Sequence, residues 1–297
     1  MKLIEAIQQF SEWKLLQVVP RTMMGYDFEL RMFCLFLRNP DVDRVSLHDV
    51  LDYLNGMKEL GWKQNSFTHK CAYLRKFFRF LRLRGHSRLN EELIPIPKRE
   101  FKPPRVATED EYEALLKVIP QNTDPRHIRN RSIINLLWDT GARVGEITAL
   151  NIDELDHNRM RAVIRTEKTR GRRPFREIFW THGTNENLGK WVEKRNRFRE
   201  IKDPEALFIC ASSHQAGQRM RPHAVAQMLR NYSRKAHLAY INAHSFRHHM
   251  GHDVIKQGGS SADVMNILGH STLASSTIYT MMTDKELEER YRRFKGN

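Results

Sequence analysis

From Ile94 to Pro104 the chain reads Ile-Pro-Ile-Pro-Lys-Arg-Glu-Phe-Lys-Pro-Pro. Four prolines within ten residues cannot run as a helix or as a central strand, because each lacks a backbone donor and fixes φ. Such a stretch makes a semi-rigid spacer, so the 297 residues divide into two bodies rather than one. The expected organisation is a first unit over 1–94, a linker over 95–107 and a second unit over 108–297. The linker ends at Thr108-Glu109-Asp110-Glu111, the spacing of a helix capping box.

Before the linker, the periodicity predicts four helices, at about 2–18, 21–38, 46–60 and 65–84. Each carries apolar residues three and four apart, as in Phe28, Met32, Leu35 and Phe36. After it, helices are expected at 108–119, 128–140 (stopped by Gly141), 185–199, 222–238, 245–257, 261–268, 272–281 and 284–295. Strands are expected near 161–166 and 174–180, around a turn at 168–173. The predicted fold class is mainly α with a small β-sheet or hairpin, in two domains.

The charge balance narrows the function. Fifty Lys and Arg against thirty-five Asp and Glu leave a formal net charge of +15, which points to a polyanionic partner, nucleic acid ahead of a membrane surface. The excess is shared: 19 basic and 12 acidic residues in 1–107, 31 and 23 beyond. Both halves are therefore expected to touch the same polyanion. In the fourth helix Arg75, Lys76, Arg79, Arg82 and Arg84, followed by Arg88, occur with no acid among them, while Phe77, Phe78, Phe80, Leu81 and Leu83 interleave. An isolated run of this kind is commonly a solvated face; in so basic a chain it predicts a phosphate-contacting one. Three scattered cysteines make neither a disulfide framework nor a zinc ribbon. No apolar run nears the roughly 20 residues that span a bilayer, and the amphipathic, acid-containing N-terminus does not read as a signal peptide. A cytoplasmic, nucleoid-associated location without membrane contact is expected.

GxGxxG, HExxH and CxxC are missing, and Gly183 to Gly189-Lys190 is one residue too long for a P-loop. Nucleotide hydrolysis and nicotinamide chemistry are thus poorly supported, and no cofactor is expected. The polar density lies in the last third. His244-Ser245-Phe246-Arg247-His248-His249 opens a helix, with His252 one turn beyond His248. A His pair at i, i+4 could hold a metal, but no acidic residue separates them as in a zinc protease and no Cys ligand is near, so no metal is expected. His244 and Arg247 share a helix face; alone they would read as a surface pair. Arg143, in Thr140-Gly141-Ala142-Arg143-Val144-Gly145-Glu146, could be an ordinary cap, and Tyr279 an ordinary rim residue.

Taken together, Arg143-x-x-Glu146, Lys168 in a hairpin turn, His244-x-x-Arg247-His248, Leu268-Gly269-His270 and Tyr279 resemble the tyrosine recombinase (phage integrase) family, with length and spacing similar to simple Xer-like recombinases. The match spans the second half; the helical first half resembles that family's core-binding domain in size, charge and position. Ala142 and Phe246 stand where Leu is commoner, and Arg170, Arg172 and Arg173 share the turn with Lys168. The resemblance implies site-specific DNA recombination without ATP or metal, through a covalent 3′-phosphotyrosine and a Holliday junction. It assigns Tyr279 as nucleophile, Arg143 and Arg247 as forks for the phosphate oxygens, His244 and His270 as hydrogen-bonding or proton-shuttling groups, and Lys168 as donor to the leaving 5′ oxygen. Glu146 and His248 would support them, and Arg170 and Arg172 would contact DNA. A tetramer on a double-stranded recombination site is implied, joined through the helix at 284–295, with a second recombinase or accessory protein as a possible partner. A type IB topoisomerase shares the chemistry, and a non-catalytic DNA-binding regulator could share the scaffold.

Overall fold

Capping residues and prolines set most helix boundaries in this chain. The computed structural model describes residues 1–100, 102–166, 174–211, 215–280 and, near the C-terminus, 288, 291, 292, 294 and 295. Two compact units emerge, Met1–Pro103 and Pro104–Asn297.

The first unit is built from α1 (Leu3–Leu15), α2 (Pro20–Phe36), α3 (Leu47–Glu59) and α4 (Gln64–Leu83). Pro20 opens α2 at the position where a missing N–H costs nothing, and Ser46 with Asp49 forms a capping box for α3. The core is aromatic at its centre: Phe10 meets Tyr26, Phe77 and Phe80 edge-on at 5.7, 5.5 and 5.4 Å. Beside it lies a polar knot. Glu29, fully buried, accepts from the Tyr53 hydroxyl at 2.9 Å and pairs with Lys70, whose ammonium sits 4.2 Å from the centre of the Trp62 ring. Burial and the Glu29 charge raise the Tyr53 pKa.

Three details of this unit lie beyond what residue spacing shows. The spacing of Phe28, Met32, Leu35 and Phe36 marks a helix, yet these four are exposed; the opposite face (Met23, Tyr26, Leu30, Phe33 and Cys34) fills the core. The acid-free face of α4 meets acids from outside the helix. Arg82 forms a two-pronged ion pair with Glu91 (2.6 and 2.8 Å), and Arg75 donates to Glu92 and to the Ile94 carbonyl. Lys76 donates to the Tyr26 hydroxyl at 3.1 Å, and Arg84 lies over the Phe80 ring. Arg79 and Arg88 are exposed. Lastly, the proline-rich stretch is strapped to α4 as far as Glu100, through Gln64 to the Lys98 carbonyl, Thr68 to the Pro97 carbonyl and a reciprocal pair of bonds between Asn65 and Glu100.

The second unit holds α5 (Glu109–Lys117), α6 (Pro125–Thr140), α7 (Val144–Ala149), α8 (His182–Arg195), α9 (Pro222–Lys235), α10 (Ala243–Lys256) and α11 (Ser261–Leu268). Its sheet is antiparallel in the order β1 (Leu155–Asp156), β2 (Arg161–Arg165), β3 (Phe175–Phe179). Thr108 and Glu111 form the capping box of α5, and Pro125 after the Asp124 cap starts α6 three residues before the expected point. One apolar cluster joins Ile133, Leu136 and Leu137 of α6 to Leu188 and Trp191 of α8, Leu229 of α9 and Phe246 of α10. The Trp138 ring is stacked between Tyr112 and His249. The helix expected over 272–281 is instead two 3-10 turns, Leu273–Ser275 and Thr277–Thr280. Its hydroxyls bond locally, Thr272 to Ser275 and Thr277 to the Ala274 carbonyl, and so compete with helical pairing. Among the described residues no helix is long and apolar enough to cross a membrane.

Candidate active site

The turn after α6 builds the first half of the site. Gly141 ends the helix in the left-handed region (φ +56°), and a Cβ there would lie 2.7 Å from Leu268 and 2.9 Å from Met250. Only glycine meets both demands. Two residues on, Arg143 caps α7. Its backbone N–H donates to Glu146 Oε2 (2.9 Å) and its Nη1 to Glu146 Oε1 (2.7 Å). A second guanidinium, that of Arg176 in β3, donates to Glu146 Oε2 at 3.0 Å. Burial alone would raise the Glu146 pKa, but Arg176 and Arg143 outweigh it and hold the carboxyl below its usual range.

The second half comes from α10 and the turn after α11. Asn242 caps α10, and Arg247 lies on its inner face, 3% exposed. Its Nη1 donates to the Gly141 carbonyl (2.9 Å) and its Nη2 to the Leu268 carbonyl (2.6 Å). One side chain thus ties together the C-terminal ends of α6 and α11. Burial, then the neighbouring charge of Arg143, lowers its pKa to about 9, which leaves it charged at neutral pH. Gly269 ends α11 at φ +66°, and His270 follows with its Nδ1 2.8 Å from the Ser276 hydroxyl.

Tyr279 closes the group. It is almost fully buried, with its hydroxyl 3.1 Å from His248 Nδ1 and its ring stacked on His270 and edge-on to His252. Gly251 of α10 admits the ring: a Cβ there would stand 2.7 Å from Tyr279 Cε1. Burial raises the phenol pKa, against the opposing pull of Arg247 and Arg143. The same burial lowers His248 and His270 to about 4 each, helped for His248 by His244 and His252 and for His270 by Arg247, Arg143 and Arg176. Both imidazoles are therefore neutral at pH 7. His244, exposed, has its ring 6.4 Å from that of His248.

Arg143, Glu146, Arg247, His248, His270 and Tyr279 thus converge, with His244 at the rim. Lys168, Arg170 and Arg172 lie outside the described residues. Among those residues no group of three or more His, Cys, Asp or Glu is placed to hold a metal ion. Sequence reasoning missed Arg176, Ser276 and Gly251. For Arg176 a signal existed, since the two-residue period of β3 puts it on the same face as the buried Ile178 and Trp180.

A helical unit followed by an α+β unit that gathers Arg, His and Tyr into one buried cluster is the plan of the integrases. The family model "Phage integrase family" matches residues 105–286, and "Phage integrase, N-terminal SAM-like domain" matches residues 8–85. The chain belongs to the phage integrase family. It is similar to Tyrosine recombinase XerC of Alcanivorax borkumensis, 26% identical over 92% of this chain and 87% of that protein. Among solved structures it resembles the Tn1549 transposon integrase in complex with a circular intermediate DNA (TM-score 0.79, 17% identity, 99% of both chains). It also resembles XerA recombinase (TM-score 0.53, 24% identity, 98% of both chains).

Proposed function

We propose a residue-level mechanism for this chain as a site-specific DNA recombinase of the tyrosine class. Tyr279 attacks the scissile phosphorus; the Tyr279 Oη–P bond forms, the bond from phosphorus to the 5′ oxygen breaks, and the protein is left on the 3′ phosphate. The phenol proton passes towards the neutral imidazole of His248, which lies within hydrogen-bond distance. Arg143 and Arg247 stabilise charge on the non-bridging oxygens; a guanidinium has five N–H donors, and Arg247 spends two on carbonyls. His270, and His244 from the rim, hydrogen-bond the phosphate, and Lys168 supplies the proton that the leaving oxygen needs. Attack by a 5′ hydroxyl on the phosphotyrosine reverses every step, so the bond energy is retained and rejoining needs no nucleotide. Four protomers on two double-stranded sites exchange strands in pairs through a Holliday junction, with the C-terminal segment joining neighbours.

The observation that carries this reading is the packing of one tyrosine against His248 and His270, within the field of two arginines, on a chain of net charge +15. Its test is Tyr279→Phe on nicked duplexes that trap covalent intermediates. The variant is expected to bind DNA as the wild type does and to form no adduct. Persistence of the adduct would move the nucleophile elsewhere, with Tyr232 and Tyr240 next in line. Relaxation of plasmids that lack the recombination site would favour a type IB topoisomerase instead. A purely regulatory DNA-binding protein has no use for a buried tyrosine between two imidazoles.

A further inference from the structure

Arg176 has three engagements that no other side chain combines. Its Nη2 holds Glu146 Oε2 (3.0 Å), its Nη1 holds the Ile267 carbonyl (2.6 Å), and its Cδ and Nε press on Gly269, where a Cβ would come within 2.7 and 2.8 Å of them. The side chain is 7% exposed and that of Glu146 is wholly buried. On one side, then, Arg176 grips the carboxylate that orients Arg143. On the other, it grips the turn that carries His270.

The charges make this more than a strut. A buried carboxylate between two guanidinium groups divides its attraction: Oε1 takes the Arg143 side chain, while Oε2 is shared by the Arg143 backbone and Arg176. With Arg176 removed, more of the negative charge of Glu146 falls on Arg143, which already holds it through Nη1 and its backbone N–H. An uncompensated buried carboxylate pulls hard on any remaining cation. The Arg143 fork would then turn from a phosphate ligand into the second prong of an internal ion pair.

We propose that Arg176 is a positioning residue of the cleavage reaction: it takes up part of the Glu146 charge, so that Arg143 stays available to the scissile phosphate, and it fixes the Ile267–His270 turn. The inference rests on the active-site assignment above. Because it concerns a charge balance, a charge change elsewhere can undo the damage, which a purely structural role would not allow.

The test uses the full chain and a nicked duplex bearing the site at which the wild-type chain forms its Tyr279 adduct. DNA affinity, single-turnover adduct rate and thermal melting are measured for Arg176→Met, Glu146→Gln and the double variant. Arg176→Met should melt cooperatively, bind DNA within a few-fold of wild type and cleave about 100-fold more slowly, the scale of a misplaced catalytic group. Adding Glu146→Gln to Arg176→Met should raise the rate again by about tenfold, a coupling in the range known for contacting residues. A wild-type rate in Arg176→Met, or a double variant no faster than the single, overturns the proposal. If Arg176→Met does not fold, Arg176→Lys decides: an ammonium can meet Glu146 or the Ile267 carbonyl but not both, so an intermediate rate is expected and a wild-type rate overturns the role. A wild-type chain with no Tyr279-dependent adduct would instead sink the site assignment itself.

Discussion

His248 and His270 show how far burial can move a single group. Both are held neutral, at about 4, against about 6.5 for a solvated imidazole. Between those values an unfolded chain binds protons that the folded chain refuses, so stability is intact above about pH 6.5 and is lost as pH falls towards 4. The expected outcome is that wild type loses more melting temperature between pH 7.5 and 4.5 than the His248→Gln/His270→Gln variant. A pH-independent gap between the two would show that these imidazoles titrate normally in the fold. At this scale residue type and order single out Arg143, Arg247, His270 and Tyr279, which the fold brings together, and His244 at their rim. For Arg176 the strand period marks an inward face but not the partners, since Glu146 and Ile267 lie 30 and 91 residues away in sequence. A strand arginine flanked by Phe175 and Glu177 gives no local hint of which carboxylate it meets. The two phenylalanines of β3 even mislead, since Phe175 and Phe179 are exposed while Arg176 turns inward.

Among the elements, α2 and α4 show what periodicity leaves open. Helix α2 is apolar nearly all round, so spacing identifies a helix but cannot choose its face. The choice is made by Glu29, which must reach Lys70 and Tyr53, and this brings Met23, Leu30 and Phe33 inward. The basic face of α4 has partners that its own spacing could not show: Glu91 and Glu92 follow the helix and fold back onto Arg82 and Arg75. Three of the helices with capping boxes, α3, α5 and α11, begin within a residue of their predicted starts, because a cap is a purely local device. The serine- and threonine-rich run after His270 was misread for the same local chemistry, its hydroxyls satisfying the backbone outside a helix. The polar knot of the first unit yields a prediction. Lys70→Met leaves Glu29 buried with only the Tyr53 hydroxyl, and should destabilise the chain by about 3–5 kcal/mol. The Glu29→Met/Lys70→Met pair removes both charges and should recover most of that loss in thermal or urea unfolding. If the double variant melts no higher than Lys70→Met, the cost lies in packing rather than in the orphaned charge.

Over the whole molecule, the positive charge is spread across both units and a separate integrase-family model matches each of them. Both bodies thus carry basic charge towards a DNA partner, and what remains is how one copy meets the next. The C-terminal segment is the proposed means. Its described residues 288, 291, 292, 294 and 295 are helical, with Arg292 bonded to Glu288 at 2.6 Å. Tyr291 and Phe294 are 61% and 76% exposed. Their exposure motivates a test of docking on a neighbouring copy, and in the sequence Leu287, Tyr291 and Phe294 recur at four- and three-residue intervals. Head-to-tail donation of this kind closes into a ring and lets one copy's Tyr279 sense its neighbour. The segment begins only five residues after Tyr279 in sequence. Deleting residues 284–297 should therefore leave the affinity for a single half-site within a few-fold of wild type and abolish cooperative filling of the second half-site and strand exchange. Gel-shift titration on one and two half-sites, with recombination measured on paired substrates, reads both effects. Recombination by the truncated chain at the wild-type rate would show that neighbouring copies are joined by some other surface.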